Sequence, residues 1–207
     1  MCYAFSMKIF CLALNYTEHA EEVGFAIPEK PAIFLKPSTA LLAPGRPFEY
    51  PSFTQKAQYE TEIVIRMDKQ GKNIPVAEAK DYYSQITVGI DFTARDVQRG
   101  LVKSGMPWEI AKAFDGSAFI GEFIPKPENT SDIDFKLMRS GQVIQQGNTG
   151  NLTLVFDEMV SYISEYFTIE PGDLVYTGSP YGTGDVAKGD VLEGFIGDQK
   201  LFDCNVV

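Results

Sequence analysis

Residues 57–66 read AQYETEIVIR, and this stretch is the clearest guide to the fold. Five of its ten residues are aromatic or β-branched types, which favour the pleated surface of a strand. Side chains alternate between the two faces of a strand, so Glu60 and Glu62 project from the same face as near neighbours. Two like charges about 4 Å apart repel by roughly 4 kcal/mol at an effective dielectric constant of 20. The pair therefore lies either on a solvent-facing strand edge or beside a cation.

Composition and charge narrow the class of protein. The chain has 207 residues, of which 44% are hydrophobic and 22% charged, and this is typical of a globular domain. A formal net charge of −10 argues against nucleic acid or an anionic membrane as a partner, because both require clustered Lys and Arg. No apolar run approaches the ~20 residues of a membrane span. We predict one mixed domain over residues 1–207, richer in strand than in helix.

The N-terminal segment MCYAFSMKIFCLAL is apolar but has neither a basic leading region nor an A-x-A-like cleavage site. We therefore predict a strand over Lys8–Leu14 rather than a signal peptide. Met7 is a second candidate start, which would make residues 1–6 an N-terminal extension. The three cysteines are odd in number and lack metal-ligand spacing, so we expect reduced thiols and a cytoplasmic location.

Periodicity and turn residues predict the remaining elements. Thr17 caps a short helix that runs to about Val23 and is followed by Gly24. The other predicted elements are strands over 33–35 and 60–66, helical spacing in PVAEAKDYYSQ (75–85), a strand in ITVGIDFTARD (86–96), a helix in LVFDEMVSYISEYF (154–167), a strand in IEPGDLVYTGSPYGTG (169–184) and a closing hairpin over 189–207.

Asp91 changes the interpretation of the glutamate pair. It is a single acid within an apolar strand, and three carboxylates on neighbouring strands are what a hard divalent cation such as Mg²⁺ requires. A bound cation would convert the repulsion among these groups into shared attraction.

The residues after Asp91 carry groups that suit an anionic ligand. Arg95 and Gln98 lie three positions apart and could present a guanidinium and an amide to a carboxylate, with Asp96 holding Arg95 in place. The alternative is a surface salt bridge at a turn. Lys112 lies among apolar neighbours, so it either extends its ammonium group to solvent or points into a cavity as an electrophile.

His19 is the only histidine in the chain, so any imidazole acid–base step must use it. Glu22 follows three positions later on the same helix and could orient the ring, although a solvated helix face is the alternative. The TGSPYGTG turn lacks the lysine of a phosphate-binding loop, and it fits a ligand contact through backbone N–H groups and the Thr177 hydroxyl. No sequence signature supports a Ser or Cys nucleophile.

Six motifs in order resemble the fumarylacetoacetate hydrolase superfamily, most closely its short acylpyruvate hydrolase members. The motifs are NYTEHAEE (15–22), FLKPSTAL (34–41), YETEIVI (59–65), GIDFTARDVQ (89–98), GMPWEIAKAFD (105–115) and GDLVYTGSPYGTG (172–184). The chain departs mildly from the family pattern in that Ser179 stands where a threonine is usual.

The resemblance implies a strand-rich α+β fold, built around a mixed β-roll with a few short helices, and a homodimer. It implies a lid segment at about residues 16–24 that carries a water-activating pair. The implied site comprises Glu60, Glu62 and Asp91 as ligands of Mg²⁺ or Mn²⁺, His19, Glu22 and Lys112 as catalytic residues, and Arg95, Gln98, Lys36, Ser38, Thr177 and Gly178 facing the substrate.

The expected activity is metal-dependent hydrolysis of a C–C bond in an acylpyruvate, which gives pyruvate and a carboxylate. The substrate would be a small anionic 2-oxo acid. Oxaloacetate decarboxylation and isomerisation of 2-hydroxyhepta-2,4-diene-1,7-dioate could use the same metal site. A metal-dependent binding protein without activity is the non-enzyme alternative.

Overall fold

The computed structural model describes residues 7–23 and 30–207, and these ranges contain fourteen strands and five α-helices. The strands are β1 Ile9–Ala13, β2 Ala32–Lys36, β3 Ala57–Tyr59, β4 Thr61–Met67, β5 Tyr83–Asp91, β6 Thr93–Ala94, β7 Ala118–Ile120, β8 Ile124–Pro125, β9 Asp134–Arg139, β10 Gln142–Asn148, β11 Leu174–Tyr176, β12 Gly184–Asp185, β13 Val191–Ile196 and β14 Gln199–Asn205. The α-helices are α1 Thr17–Val23, α2 Val76–Ala79, α3 Arg95–Lys103, α4 Glu109–Lys112 and α5 Phe156–Tyr166.

The largest sheet is mixed and has seven strands. Its order is β2-β1-β11-β4-β5-β7, with β8 also paired to β5. β1 and β11 run parallel, and the other pairs are antiparallel. β4 lies inside this sheet rather than at its edge, because β11 and β5 flank it.

Two smaller sheets complete the strand-rich α+β fold. One has four strands in the order β10-β9-β13-β14, and the other has three in the order β12-β3-β6. Apolar side chains of the first small sheet, such as Leu137 and Leu192, join those of β5, such as Ile86 and Val88, in one hydrophobic core. The sheets therefore curl around a common interior, as in the mixed β-roll predicted from the sequence.

Helix α5 packs on this core with the periodicity that its sequence predicts. Phe156, Met159, Val160 and Ile163 are all buried, and they recur at helical spacing. Among the described residues, no helix is long and apolar enough to span a membrane.

Most predicted elements are present, including the strand near the N-terminus, the helix from Thr17 to Val23 and the C-terminal hairpin. The helical interpretation of 75–85 is wrong at its end, since Tyr83 already belongs to β5. Helix α3 was not predicted. Cys11 and Cys204 are buried free thiols, whereas Cys2 and Gly24 lie outside the described residues.

Candidate active site

The three predicted metal ligands meet in the interior. Glu60 lies at the junction between β3 and β4, and its backbone oxygen accepts a hydrogen bond from Asp91 N at 2.8 Å. Glu62 lies opposite Gly89 in the β4–β5 pairing, two residues before Asp91. One carboxylate oxygen from each of the three residues lies within 4.8 Å of the others.

A solvent-facing strand edge is the wrong explanation for the glutamate pair. Glu60 is 5% exposed, Glu62 3% and Asp91 1%. Burying ionised carboxylates without partners would cost several kcal/mol each, so compensating charges must lie close by.

Three basic side chains supply this compensation. Lys112 Nζ lies 2.7 Å from both Glu60 Oε2 and Asp91 Oδ2 and donates to Thr93 Oγ1 at 2.7 Å. All three protons of its ammonium group therefore have acceptors in the protein. The interpretation of Lys112 as an exposed cation on an apolar stem is wrong, since its charge points inward and is 3% exposed.

Lys36 lies deeper than the sequence suggested. Its ammonium group lies 2.7 Å from Asp91 Oδ1 and is hydrogen-bonded to the Lys112 backbone oxygen, to Ser117 O at 3.1 Å and to Ser117 Oγ at 3.0 Å. Lys36 is the last residue of β2 and is a buried counter-ion of Asp91. The expectation that Lys36 lies on a loop bordering the pocket is therefore wrong. Ser38, two residues later, begins a short 3-10 helix and is half-buried.

Arg95 is held by amides rather than by Asp96. Its Nε donates to Gln58 Oε1 at 2.6 Å and its Nη1 to Gln98 Oε1 at 2.5 Å, while Nη2 pairs with Glu60 Oε1. Asp96 instead accepts from the Thr54 hydroxyl and from Gln55 N at 2.9 Å. The prediction that Asp96 orients Arg95 is therefore wrong.

The surrounding charges shift the pKa values of the two glutamates in opposite directions. Burial opposes ionisation of Glu60, but Lys112 and Arg95 outweigh it and hold the pKa of this carboxyl below its usual range. Burial together with the Asp91 and Glu60 carboxylates raises the pKa of Glu62 well above its usual value, although Gly178 N donates to Glu62 Oε2 at 2.7 Å. The basic residues therefore compensate Glu60 but not Glu62, whose ionised form is unfavourable without a further positive charge.

This donor set fits a divalent cation. Ions of the Mg²⁺ and Mn²⁺ type bind oxygen at roughly 2.0–2.2 Å, so carboxylate oxygens within 4.8 Å of one another can contact the same ion with little movement. Asp91 Oδ1 is buried and its contact is the Lys36 ammonium group at 2.7 Å, whereas no basic side chain pairs with Glu62 among the described residues. Glu60, Glu62 and Asp91 are therefore the residues that would hold the ion.

His19 and Glu22 form the predicted pair. His19 Nδ1 lies 2.9 Å from Glu22 Oε2, and Glu22 Oε1 accepts from Gly182 N at 3.1 Å. His19 is 5% exposed and lines the same cavity as the three carboxylates, so the solvated-face interpretation is wrong for this residue. With Nδ1 engaged by a carboxylate, Nε2 remains as the nitrogen that can exchange protons with a ligand.

The cavity has one charged wall and one apolar wall. The charged wall is formed by the carboxylates, Arg95, Gln98, Lys112 and His19, and the apolar wall includes Leu12, Phe34 and Trp108. This combination suits a small ligand with an anionic head and an apolar end.

The turn after β11 approaches the site mainly through its backbone. The Thr177 hydroxyl donates to Ile63 O at 2.9 Å and Thr177 is fully buried, so the contact that this hydroxyl was expected to make with the ligand is replaced by a backbone contact. Gly178 has φ +101°, and a Cβ there would lie 2.9 Å from Asn15 Cβ. Glycine therefore permits the close approach that brings Gly178 N to Glu62.

The chain is similar to known proteins over most of its length. Residues 8–203 match the family model described as Fumarylacetoacetate (FAA) hydrolase C-terminal. The chain is 40% identical over 191 residues to an uncharacterized protein of Pyrococcus horikoshii, covering 91% of this chain and 83% of that one. It is 36% identical over 188 residues to the human mitochondrial oxaloacetate tautomerase FAHD1, covering 90% of this chain and 85% of that one.

One solved structure of similar fold contains a metal ion and pyruvate. This is the crystal structure of fumarylpyruvate hydrolase from Pseudomonas aeruginosa in complex with Mn²⁺ and pyruvate. It is similar with a TM-score of 0.89 and 36% sequence identity, covering 97% of this chain and 89% of that chain.

Proposed function

The chain belongs to the fumarylacetoacetate hydrolase family, and from this premise we propose that it is a divalent-metal-dependent enzyme that hydrolyses acylpyruvates to pyruvate and a carboxylate. The observation that carries the proposal is the position of His19. This buried histidine, paired with Glu22, lines the same cavity as Glu60, Glu62 and Asp91. A candidate base thus faces a candidate metal site.

Glu60, Glu62 and Asp91 would hold Mg²⁺ or Mn²⁺. When bound, the ion supplies Lewis-acid polarisation of substrate oxygens and stabilises negative charge that develops on them. The protein supplies a complementary field, because three buried cations, Lys36, Lys112 and Arg95, equal the three carboxylates in number and pair with Glu60 and Asp91. A divalent ion therefore leaves a formal surplus of positive charge, which attracts an anion even though the whole chain carries −10.

Arg95 and Gln98 would bind the substrate carboxylate. Both line the cavity, and both are held rigidly by the contact between Arg95 Nη1 and Gln98 Oε1. Fixed donors lose little side-chain entropy when the ligand binds. Lys112 has its protons engaged by Glu60, Asp91 and Thr93, so we assign it stabilisation of developing negative charge through its field.

The water step would use His19 as the base. Glu22 holds the ring through Nδ1, so Nε2 can take a proton from a water molecule whose oxygen bonds to the distal carbonyl carbon. The C–C bond then breaks, and its electron pair passes to the pyruvate fragment. That fragment regains a proton, which His19 can return, and no oxidant or reductant is needed.

Tautomerisation of oxaloacetate is the second candidate. It is favoured by the similarity to human FAHD1, which covers nine-tenths of the chain. The reaction moves a proton between carbon and oxygen, and His19 could carry that proton without an attacking water molecule. Decarboxylation of oxaloacetate and isomerisation of a hydroxy-dienedioate remain alternatives at the same site, as does ligand binding without turnover.

A substrate panel distinguishes these activities. The EDTA-treated protein is incubated with acetylpyruvate, oxaloacetate or enol-oxaloacetate, with Mg²⁺ or with EDTA. Pyruvate is measured enzymatically, and tautomerisation is followed by enol absorbance. We expect metal-dependent pyruvate release from acetylpyruvate. If the protein converts enol-oxaloacetate to the keto form but does not cleave acylpyruvates, tautomerisation replaces hydrolysis as the proposed activity. If none of the substrates is turned over in a metal-dependent way, the enzyme proposal is contradicted.

We also propose a homodimer and a cytoplasmic location. The resemblance supports the dimer, as do the apolar side chains of Met106 and Ile110, which are 55% and 65% exposed and lie two residues before and after Trp108 of the cavity wall. The free thiols of Cys11 and Cys204 support a reducing compartment, although the human relative is mitochondrial by name. Light scattering should give a molar mass twice the 23.0 kDa of one chain, and the mass of a single chain would contradict the dimer.

A further inference from the structure

Gln145 occupies an unusual position for a polar side chain. It lies on β10, the edge strand of the four-stranded sheet, and it is the one residue of that strand that is fully buried. Its neighbour Val143 is 48% exposed, so the strand turns a glutamine inward and a valine outward. Burying a glutamine while exposing a valine gains no apolar burial, so the inward position of Gln145 must have another cause.

A β-bulge produces the reversal. The pairing of β10 with β9 shifts between Val143 and Gln145, so that Ile144 has no partner on β9. Bulges redirect side chains and are frequent beside functional sites. Here the bulge turns Gln145 toward the seven-stranded sheet.

The amide of Gln145 is fully used. Its Oε1 accepts from Thr61 N at 2.9 Å, and its Nε2 donates to Ser179 Oγ and to Pro180 O, each at 2.9 Å. The backbone N–H of Thr61 can only donate and the carbonyl of Pro180 can only accept, so only this orientation of the amide satisfies both.

These partners belong to two segments of the site: the strand that carries the metal ligands and the turn that holds Glu22. Thr61 is the residue between Glu60 and Glu62. Ser179 and Pro180 belong to the turn 178–182, whose first N–H donates to Glu62 and whose last N–H donates to Glu22. Gln145 therefore connects the strand that bears the metal ligands to the turn that holds the partner of His19.

We propose that Gln145 is a positioning residue that fixes the His19–Glu22 pair relative to the carboxylates of Glu60 and Glu62. This inference rests on the proposed hydrolysis at the same site. Gln145 is not among the residues that line the cavity. It acts through the peptide at Thr61 and through the turn 178–182, and outer-shell partners of this kind typically contribute ~10–100-fold to metal affinity or activity.

The first test is a double-mutant cycle of Gln145→Met with Glu22→Ala, measured as kcat for acetylpyruvate hydrolysis. Gln145→Met alone should lower kcat by ~10–100-fold, with a smaller change in KM. In the Glu22→Ala background the same substitution should cost little, because the group that it positions is already gone. An equal loss in both backgrounds would overturn the inference, since a general structural role predicts that result.

The second test does not depend on activity. Mn²⁺ binding to the EDTA-treated protein, followed by electron paramagnetic resonance, should weaken by about tenfold in Gln145→Met because the peptide between the two glutamates loses its anchor. Unchanged affinity would also overturn the inference. If the wild type hydrolyses no acylpyruvate, the proposed function fails, and this titration still decides on Gln145.

Ser164→Ala is the matched control. Ser164 is fully buried on α5, and its hydroxyl accepts from Ile74 N at 2.8 Å and donates to Ser161 O at 2.7 Å, remote from the site. It should lower the melting temperature without changing Mn²⁺ affinity or kcat.

If Gln145→Met does not fold, Gln145→Glu keeps an acceptor for Thr61 N but loses the amide donor to Pro180 O. That variant should lose hydrolysis and retain Mn²⁺ binding, and wild-type hydrolysis would count against the inference.

Discussion

His19 is a buried imidazole whose partner, Glu22, is itself anchored to the backbone N–H of Gly182. The chain has no second histidine that could replace it. At the residue scale, the proposed hydrolysis therefore depends on one ring and on the charges that face it.

Replacing His19 by Ala should reduce acylpyruvate hydrolysis by about 10²–10⁴-fold, the usual contribution of a general base. Mn²⁺ affinity should stay near the wild-type value, because the proposed ligands are carboxylates. The assay is pyruvate release, with Glu18→Gln on the exposed face of the same helix as the control. A His19→Ala enzyme that hydrolyses at the normal rate would remove His19 from the mechanism.

Lys36 should prove important for stability as well as for the site. Lys36→Met removes the ammonium group beside Asp91 and leaves the backbone oxygens of Lys112 and Ser117 without this donor. Breaking a buried ion pair typically costs about 3–5 kcal/mol, so the free energy of unfolding in EDTA should fall by that order. Urea denaturation measures the loss. Lys188→Met, at an exposed position, is the control, and equal unfolding midpoints for the two variants would contradict the buried role.

The sequence predicted the chemical types at the site better than their contacts. The isolated acid in the apolar run around Asp91 and the same-face glutamates identified the three carboxylates. By contrast, Gln58, which orients Arg95, carried no signal, because its role depends on β3 lying beside α3. Gln145 was missed for the same reason, since a bulge cannot be seen in the spacing of a single strand.

At the scale of elements, the turn between β11 and β12 connects the metal ligands to the catalytic pair. Gly178→Ala should weaken Mn²⁺ binding, because a Cβ at φ +101° would meet Asn15 and displace the N–H from Glu62. Titration calorimetry measures the affinity.

Gly172→Ala is the matched control for this substitution. Gly172 also has a positive φ, +90°, but a Cβ there would meet nothing within 4 Å. Its replacement should cost ~1–3 kcal/mol of backbone strain and leave Mn²⁺ affinity unchanged. Equal affinity losses in the two variants would show that strain, not the contact with Glu62, determines binding.

Element prediction succeeded where one local signal was sufficient. The β-branched run of β4 and the helical period of α5 each identify an element without tertiary information. The helix α3 was missed because ARDVQRGLVK is largely polar, and what the sequence suggested was a turn. Its first turn is fixed instead by contacts across the fold, in which Arg95 bonds to Gln58 and Asp96 to the residues 54–55.

At the scale of the whole molecule, the closed core should protect the thiols in the described chain. Burial raises the pKa of Cys204 to about 12 and that of Cys11 well above its usual value, so both stay protonated and poorly reactive at pH 8. Native Cys2→Ser protein should therefore react with Ellman's reagent only after unfolding in guanidinium. Reaction of the native protein as fast as the unfolded one would contradict this core.

The metal centre is the claim on which the remaining chemistry depends, and a calorimetric titration of EDTA-treated protein with Mn²⁺ tests it most directly. We predict one tightly bound ion per chain, with Glu62→Gln weakening binding by more than the ~10–100-fold typical of outer-shell changes. His19→Ala should bind as the wild type does. Absence of Mn²⁺ binding, or undiminished binding by Glu62→Gln, would contradict a metal site at Glu60, Glu62 and Asp91.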